Sequence, residues 1–522
     1  AAPGGNVTNC GTLLPKSPAL LSQTHGALNL SNSGVLRAAE AIRATDGVLT
    51  AKNTASGDIH GTVQAGAGKV HLNNEGQWTN TGNSVLTSLA NGGTITNTAP
   101  VGGAYKTITA TNYVGNGGRI NLNTRLGSDD SPSDRLVIDG GSATGSTRLG
   151  ITNTDGSGAP TTGNGILVVD AQNGATTSAD AFTLAAPVAA GAYEYELVRR
   201  SNASWYLASE QYRQETFLYT AIPSLAILHN DATMDSFHER MGGAGNAAGE
   251  DGQPQRLWAR LIGNDGNRKG DGPAFDHRTV ALQLGGDFYQ GTNESGTRTN
   301  AGLHFATGQT SGNVEHYNGM TAGSNKLDVT SLGMYWTIQG QQGAYLDFVT
   351  QFSYYDVEAA STRMAKMKTT GTGYAFSVEG GLPFRLNDSW SLEPQLQVRR
   401  MIADLDSSAD AAGRVDFADV ESLVGRAGLK LGYATPALAA WSRLDLLNEF
   451  QGRSTTTVAS LNGRNAVLMD SNVHGLSVAL TAGADVKITK AASVYGSANY
   501  RRALGDSTGH SWGGQVGLKL AW

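Results

Sequence analysis

Few residues of this chain have the types and spacing that catalysis would need. Three histidines of the N-terminal part, His25, His60 and His71, are not spaced as metal ligands from one another or from acidic residues. Combinations of Ser, His and Asp can be drawn from any chain with this much serine, so they do not by themselves support a serine triad. The run from Gly115 to Gly118 is followed by no helix, so it predicts a turn rather than a phosphate loop. We therefore expect no enzymatic site, no metal and no cofactor.

A larger set of charged residues recurs at alternate positions of the C-terminal half. In one stretch Leu476, Val478 and Leu480 alternate with Ser477 and Thr481. In lipid each charge would cost several kcal/mol, so these residues must face water, an enclosed segment or one another. Their chemistry is expected to be that of a polar pore lining rather than of catalysis. The set comprises Asp287, Asp347, Gln351, Glu379, Glu393, Gln397, Arg399, Arg426, Lys430, Arg443, Asp445, Glu449, Asp485, Arg501, Gln515 and Lys519.

Composition limits the classes of protein to consider. Hydrophobic residues make up 39% and charged residues 16%, both low, while glycine fills 69 of 522 positions. A net charge of −6 excludes a generally basic nucleic-acid binder. Cys10 is the only cysteine, so no intrachain disulfide can form. The longest apolar run, from Phe217 to Leu228, is too short for a membrane helix and contains Pro223.

Period-2 alternation dominates the sequence after Gln255. Most of the alternating runs have the 9 to 11 or more residues that a tilted strand needs to cross a bilayer. Short links follow the even runs and mostly long links follow the odd runs, which is typical of an outer-membrane barrel. A soluble β-sandwich, as in a secreted β-protein, also alternates and is the competing interpretation. The twelve runs are 256–264, 276–290, 296–308, 325–339, 343–357, 368–382, 389–403, 420–433, 440–453, 474–488, 491–502 and 510–522.

The N-terminal part has a different pattern. From about residue 26 to 120, short β-type runs follow Asn/Gly turns such as Asn32-Ser33-Gly34 and Asn91-Gly92-Gly93, at a spacing near 20 residues. That spacing predicts the coils of a right-handed parallel β-helix, each burying its apolar residues on its neighbours. The alternatives are a β-sandwich with glycine-rich turns or a low-complexity region. Between Glu210 and Met241 apolar residues recur at spacings of three and four, which predicts a helix.

Four stretches together resemble the autotransporters of type V secretion. Arg135-Leu136-Val137-Ile138-Asp139-Gly140 and Trp205-Tyr206-Leu207 are similar to a pertactin-like autochaperone junction. The segment from Tyr212 to Gly242 is similar to the linker helix of that family, and Leu257-Trp258-Ala259-Arg260 to the start of its barrel. The terminal Leu518-Lys519-Leu520-Ala521-Trp522 resembles the signal that barrel-assembly machinery reads, carried by Leu518, Leu520 and Trp522.

The resemblance implies an all-β chain in four parts. We expect a short β-helix passenger (1–117), an autochaperone junction (118–210), a linker helix threading the pore (211–252) and a 12-stranded antiparallel transmembrane β-barrel (253–522). A bore of twelve strands has room for one helix. Implied partners are outer-membrane lipid and lipopolysaccharide, barrel-assembly machinery, periplasmic chaperones and a host surface ligand. We expect a monomer in a Gram-negative outer membrane, with the passenger at the cell surface or released, and any secretory signal upstream of Ala1.

Some family members cut the linker inside the barrel by cyclisation of an asparagine onto its own backbone. The matching position here is Asp235, followed by Ser236, and Asn230-Asp231 lies one turn too early. An ionised aspartate is poorly suited to cyclise, so we expect an uncut linker. The leading hypothesis is an autotransporter whose passenger acts as an adhesin or host-interaction surface. The alternative is the translocator and stalk of a secreted protease or esterase whose catalytic part lies outside this chain.

Overall fold

The computed structural model describes residues 4–15, 20–22, 26–242, 256–270, 272–489, 491–505 and 508–521. Two positions singled out above, His25 and Trp522, lie outside them. The chain divides into two compact units. The first comprises Ala1–Arg213 with Ala459–Ala466, and the second comprises Gln214–Val458 with Val467–Trp522.

The first unit is a stack of coils built from parallel strands. Each coil buries alternate residues, as in Leu49 and Val70, which lie opposite each other in β6 and β8 and are fully buried. Successive coils are 17 to 23 residues apart where stacked side chains mark the repeat. The strands are β1 (Gly5–Asn9), β2 (Thr12–Leu13), β3 (Leu20–Ser22), β4 (Ala27–Asn32), β5 (Val35–Ala44), β6 (Val48–Asn53), β7 (Asp58–Ala65), β8 (Lys69–Asn74), β9 (Gln77–Asn80), β10 (Ser84–Asn91), β11 (Thr94–Asn97), β12 (Thr107–Thr124), β13 (Arg135–Asp139), β14 (Ser142–Asn153), β15 (Ile166–Gln172), β16 (Thr176–Thr177), β17 (Phe182–Leu184), β18 (Val188–Ala190), β19 (Tyr193–Arg199) and β20 (Trp205–Ala208).

A ladder of buried asparagines runs through the coils of this β-helix. Asn9 donates to Asn32 at 2.7 Å, Asn32 to Asn53 at 2.8 Å, Asn53 to Asn74 at 2.8 Å and Asn74 to Asn91 at 2.9 Å, in each case from side-chain Nδ2 to side-chain Oδ1. A buried amide without partners would cost free energy, so each rung depends on the next. The ladder fixes the register of the coils at the turn where each Asn stands.

Antiparallel strands and aromatic residues close the C-terminal end of the β-helix. The strands β18, β19 and β20 pair antiparallel, and β20 also pairs antiparallel with β15. Trp205 donates through Nε1 to Thr177 Oγ1 at 3.0 Å, and its ring packs edge-on against Phe182. Burial raises the pKa of Tyr195 to about 12, and its hydroxyl donates to Gly127 O at 2.8 Å. These contacts remove the open sheet end on which another coil would otherwise stack.

The second unit is a closed antiparallel barrel of twelve long strands. The first of them, β21, pairs with β22 on one side and with the last, β37, on the other, which leaves no free edge. Apolar residues such as Leu257 and Leu261 face outward and are exposed. The strands are β21 (Arg256–Lys269), β22 (Phe275–Thr292), β23 (Arg298–Glu315), β24 (Thr321–Gln339), β25 (Tyr345–Ser361), β26 (Met367–Gly381), β28 (Trp390–Leu405), β31 (Val420–Ala434), β32 (Leu438–Glu449), β35 (Gly475–Lys487), β36 (Ala492–Leu504) and β37 (Thr508–Ala521), with β27 (Phe384–Arg385), β29 (Ser408–Ala409), β30 (Arg414–Phe417), β33 (Arg453–Ala459) and β34 (Val467–Asn472) in the connections.

A mainly helical segment, residues 214–242, lies inside the barrel, and we call it the lumen segment. It consists of α1 (Gln214–Thr220), α2 (Ile222–Thr233) and α3 (Phe237–Met241). No helix among the described residues is both long enough and apolar enough to span a membrane. The predicted fold class, a β-helix, a linker helix and a 12-stranded barrel, is confirmed. The helix differs from the prediction in being divided into three.

Candidate functional site in the barrel lumen

The lumen segment has an apolar half and a charged half. In α1 and the start of α2, Leu218, Ile222 and Leu225 are fully buried among inward-facing apolar residues of the barrel such as Leu327 and Val357. The sequence predicted a polar lining throughout, and this apolar part was not foreseen. Inward apolar residues are stable here because the helices, rather than water, cover them.

Acidic residues form a row along the charged half. Asp231, Asp235 and Glu239 are spaced by four residues, which places them near one side of a helix even though α2 ends at Thr233. Each carboxylate meets at least one arginine of the barrel wall. The wall arginines in these contacts are Arg260, Arg399, Arg443 and Arg501, from β21, β28, β32 and β36. The row therefore attaches the segment to four strands around the barrel.

Asp231 is shared by two arginines. Arg399 donates to its Oδ1, and Arg501 donates to its Oδ2 at 2.5 Å. Arg399 also donates to Met234 O at 2.9 Å, beyond the end of α2. In a continuous helix, an N–H of the next turn would donate to this carbonyl oxygen. Here the guanidinium of Arg399 donates to it instead.

Asp235 and Ser236 occupy the extended break between α2 and α3. The Asp235 carboxylate accepts from Arg260 Nη1 at 3.1 Å, and Arg260 Nη2 donates to Thr233 O at 3.1 Å. Ser236 Oγ accepts from Arg443 Nη1 at 2.6 Å. The pair of residues at which a cut would fall is thus held from both sides by arginines. Residue 235 carries a carboxyl group rather than an amide, so it lacks the nitrogen that asparagine cyclisation uses.

The first turn of α3 is fixed by its own capping residue and by the wall. The backbone N–H of Ser236 donates to Glu239 Oε2 at 3.4 Å and Ser236 Oγ donates to the same oxygen at 2.7 Å, so this carboxylate caps the N-terminus of the short helix. Glu239 Oε2 also accepts from Arg443 Nη2 at 3.1 Å. Arg443 in turn donates to Asp445 at 2.7 Å, and Asp445 accepts from Arg426 at 2.8 Å. Buried charges of both signs are therefore neutralised as a network.

Further contacts hold the C-terminal end of the lumen segment. Glu379 accepts from the backbone N–H of Phe237 at 3.0 Å, and Asp347 accepts from Arg240 at 2.6 Å. Glu393 lies 2.7 Å from His238 Nε2 and 3.3 Å from Lys430 Nζ. Two wall residues bind backbone carbonyls: Gln515 donates to Glu239 O at 2.5 Å and Lys519 donates to Met241 O at 2.7 Å. Lys519 also donates to Asp485 Oδ2.

The remaining residues singled out by sequence lie apart from the segment. Asp287 is buried and accepts from Tyr335, while Glu449 accepts from Ser422 and the backbone N–H of Leu423. Gln351 faces His304, and Gln397 binds Arg426. Leu518 and Leu520 are exposed on the outer face of β37. Among the described residues no group of His, Cys, Asp and Glu is arranged to hold a metal ion.

Arg260 is the main contact that sequence reasoning missed. It is almost fully buried and links Asp235, Gln283, Gln515 and the backbone of the lumen segment. The alternation of β21 does predict this orientation. Leu257 and Leu261 face outward, so the even-numbered Arg260 between them faces inward. The motif that contains Arg260 was interpreted only as the start of the barrel, and that interpretation does not predict the contacts of Arg260 with the lumen segment.

Comparison with known proteins gives two family matches. A family described as Autochaperone Domain Type 1 matches residues 84–197, which include the end of the β-helix. A family described as Autotransporter beta-domain matches residues 257–499, within the barrel. The first match covers strands that close the β-helix, and the second covers eleven of the twelve barrel strands in whole or part.

Three relatives illustrate the range of similar proteins. YdeU of Escherichia coli (strain K12) is 24% identical in an alignment 463 residues long that covers 79% of this chain and 97% of that protein. The adhesin BmaC autotransporter of Brucella suis biovar 1 (strain 1330) is 27% identical over 79% of this chain and 13% of its own length. The autotransporter adhesin AIDA-I of Escherichia coli is 27% identical over 67% of this chain and 28% of its own length. The chain thus spans nearly all of the first and less than a third of the other two.

Proposed function

Because this chain belongs to the autotransporters, we propose that its β-helix is a non-enzymatic passenger that stays attached to the barrel and acts as an adhesin. The family places the barrel in the outer membrane of a Gram-negative cell, where it exports and anchors the passenger at the cell surface. The stacking of successive coils outside the cell releases free energy where no ATP is available and opposes backsliding. The proposed parts are passenger 1–117, junction 118–210, linker 211–252 and barrel 253–522.

The contacts of Asp235 carry the part of the proposal that concerns attachment. The expected cleavage position holds a carboxylate paired with Arg260 at 3.1 Å, where cyclisation needs a neutral amide. The same arginine and Arg443 anchor the backbone and side chains on either side. The lumen residues act in this proposal as the lining that retains the linker and neutralises its charges.

The adhesin role rests on two observations of different kinds. Two relatives, BmaC and AIDA-I, are named adhesins, although the chain spans only 13% and 28% of their lengths. The β-helix itself presents long outward ladders of polar residues, as in Thr50, His71 and Ser88 of adjacent strands, which suit binding to another surface. The alternative, the stalk of a secreted protease or esterase, requires a catalytic domain in the complete gene product, so the sequence of the full gene separates the two.

Surface expression of the full chain in Escherichia coli tests the proposal. We expect full-length protein in the outer membrane, a passenger that added protease removes from intact cells, and increased adherence of the cells to cultured epithelial cells. Mass spectrometry of the culture medium should find no passenger fragment that ends at residue 235. A released fragment would contradict attachment, and unchanged adherence at full surface expression would contradict the adhesin role.

The partners of assembly form a second part of the proposal. Barrel-assembly machinery recognises Leu518, Leu520 and Trp522, periplasmic chaperones carry the chain before insertion, and lipid and lipopolysaccharide surround a monomeric barrel. Trp522→Ala should lower the yield of heat-modifiable barrel in the outer membrane, with Leu461→Ala, a change at an exposed connection, as the control. An unchanged yield would contradict the recognition role.

A further inference from the structure

Two arginines lie directly side by side on the outer face of the β-helix. The strands β12 and β14 are parallel neighbours, and their register places Arg119 opposite Arg148. Both side chains are exposed. Neighbouring strands are about 4.8 Å apart, so two like charges in this position repel each other. In a chain of net charge −6, such a pair is a local feature that the fold does not need for its stability.

Neither arginine has an acidic partner among the described residues. Other basic residues of the β-helix do: Arg43 binds Glu40 at 2.8 Å and Lys52 lies 3.2 Å from Glu75. The Arg119 and Arg148 side chains therefore leave a positive charge open to an external anion. Two arginines together offer paired N–H donors in the planar arrangement that carboxylates, sulfates and phosphates accept.

The Arg119 guanidinium is held in place before any ligand arrives. Its Nε donates to Asn121 Oδ1 at 2.6 Å, and Asn121 Nδ2 donates to Thr96 Oγ1 at 2.9 Å. The guanidinium lies over Gly150, where a side-chain Cβ would come within 2.7 Å of Arg119 Nη2. The absence of a side chain at residue 150 gives this group its position. Because Nε is used to orient the group, its two Nη nitrogens are left to bind a ligand.

The surroundings of the pair indicate the class of ligand. Thr94 lies beside Arg119 on one flank and Thr183 beside Arg148 on the other, so two guanidinium groups flanked by two hydroxyl groups lie in a line across four strands. Hydroxyl and amide groups match the hydroxyls of sugars, and the arginines match acidic substituents. This proposal rests on the adhesin function proposed above. We propose that the surface formed by Thr94, Arg119, Asn121, Arg148 and Thr183 binds an acidic polysaccharide through its sulfate or carboxylate groups.

The test uses the full chain displayed on Escherichia coli and fluorescent heparin as the probe. Heparin stripped of all sulfate groups serves as the carboxylate-only probe and separates the two anionic groups. We expect Arg119→Ala/Arg148→Ala to weaken binding about tenfold or more, since each lost charged contact accounts for a few-fold to tenfold. Arg43→Ala/Lys52→Ala removes the same two positive charges from other sites of the β-helix and should leave binding unchanged. Surface levels are equalised by the amount of passenger that added protease releases.

The outcomes separate this inference from the proposed function. Tighter binding of intact heparin assigns the site to sulfate groups, and equal binding of both probes assigns it to carboxylates. Unchanged binding in the double variant, or binding of polyglutamate in preference to both polysaccharides, overturns the inference. If the wild type adheres to epithelial cells and the double variant adheres equally, only this site is wrong. If the wild type neither adheres nor binds either probe, the adhesin proposal fails as well.

Discussion

Arg260 Nη1 donates a hydrogen bond to the Asp235 carboxylate at 3.1 Å, across the break between the two last helices of the lumen segment. Arg260 is 2% exposed, so its contact with Asp235 is largely shielded from solvent. This relationship joins the chemistry of residue 235 to the wall of the barrel. It is also the reason to expect that a substitution at residue 235 determines whether the linker is cut.

Asp235→Asn should introduce a cut between residues 235 and 236. The substitution replaces the carboxyl group by an amide, whose nitrogen can attack the backbone carbonyl of its own residue and release the amine of Ser236. Outer membranes of the variant should contain a barrel fragment that begins at Ser236, identified by N-terminal sequencing. Asp235→Ala removes the carboxylate without supplying an amide and should remain full length. An intact Asp235→Asn chain, or a cut Asp235→Ala chain, would show that residue 235 does not control cleavage.

The pair of Arg443 and Glu239 should contribute measurably to the stability of the barrel. Each side chain is less than a tenth exposed, and truncation of one leaves the other charge buried without its partner. We expect Arg443→Met or Glu239→Gln each to destabilise the protein by about 3 kcal/mol. The double variant should lose less than the sum of the two single changes. The measurement is the temperature at which the barrel in detergent loses its compact, heat-modifiable migration; strictly additive shifts would contradict a direct coupling.

The ion selectivity of the barrel should depend on Asp231. A polar cavity of about 100 Å³ lies beside the lumen segment and is lined by Asp231, Arg268, His277 and Arg501 among others. Asp231→Ala leaves Arg399 and Arg501 without their carboxylate, so the potential in the lumen becomes more positive. In planar bilayers under a KCl gradient, the reversal potential should move toward that of chloride.

A matched variant makes the selectivity result specific. Asp265→Ala removes an exposed carboxylate that pairs with Arg278 at 2.8 Å on the barrel strands. It changes the net charge by the same amount without altering the contacts of Arg399 and Arg501. Equal shifts in the two variants, or a shift of Asp231→Ala toward potassium, would contradict the local effect.

The alternation of apolar and polar residues allowed the barrel to be predicted from sequence. It did not give the correct ends of the strands, because it is required only where a strand meets lipid. Each run was located because lipid requires apolar residues at every other position, as in Leu257 and Leu261. Several strands continue beyond the predicted ends, so that β23 reaches Glu315 where the run ended at 308, whereas β32 ends at Glu449, before the predicted 453. Beyond the lipid both faces of a strand meet water or protein, so alternation of apolar and polar residues is no longer required there. The signal therefore marks the membrane belt and not the whole strand.

The contacts of the lumen could be predicted only in part. Alternation shows that Arg399 and Arg443 face inward, but it does not show which residue of a separate helix each one meets. Those pairings depend on the break at Asp235 and Ser236, which no periodicity indicates. The asparagine ladder is an intermediate case: the Asn-x-Gly turns at Asn32 and Asn74 gave the coil spacing, while the stacking of their side chains follows from the register of the strands.

Asn53→Ala should destabilise the β-helix more than the loss of an exposed asparagine. Asn53 Nδ2 donates to Asn74 Oδ1 at 2.8 Å and to Gln77 O at 3.0 Å, and its Oδ1 accepts from Asn32 at 2.8 Å. Its removal leaves buried groups above and below unpaired, at a cost of about 3 kcal/mol. Asn29→Ala breaks a bond of the exposed pair with Asn6 and should cost a few tenths of that. Pulse proteolysis of the displayed passenger in urea measures both; equal midpoints would contradict a stabilising ladder.

The stability of the loop from Thr162 to Gly165 should depend on pH through Asp129. The backbone N–H of Thr162 donates to this carboxylate at 2.8 Å, as do those of Gly163 at 3.0 Å and Gly165 at 2.8 Å. These hydrogen bonds, that of Thr162 first, lower the pKa of Asp129 from its ordinary value of 3.8. A carboxyl whose pKa is lower in the folded state adds stability above its unfolded pKa and loses it as the pH falls through the folded pKa.

Hydrogen–deuterium exchange can follow this change at the amides themselves. Relative to their intrinsic rates, the amides of Thr162, Gly163 and Gly165 should be protected at pH 6 and should lose protection as the pH falls below about 3.8, the ordinary pKa. Asp129→Asn keeps one acceptor oxygen but cannot ionise, so its protection should be weaker at pH 6 and nearly independent of pH. Amides near Asn53, whose bonds involve no titrating group, serve as the internal reference. Equal pH profiles in the wild type and Asp129→Asn would exclude Asp129 as the group that holds this loop.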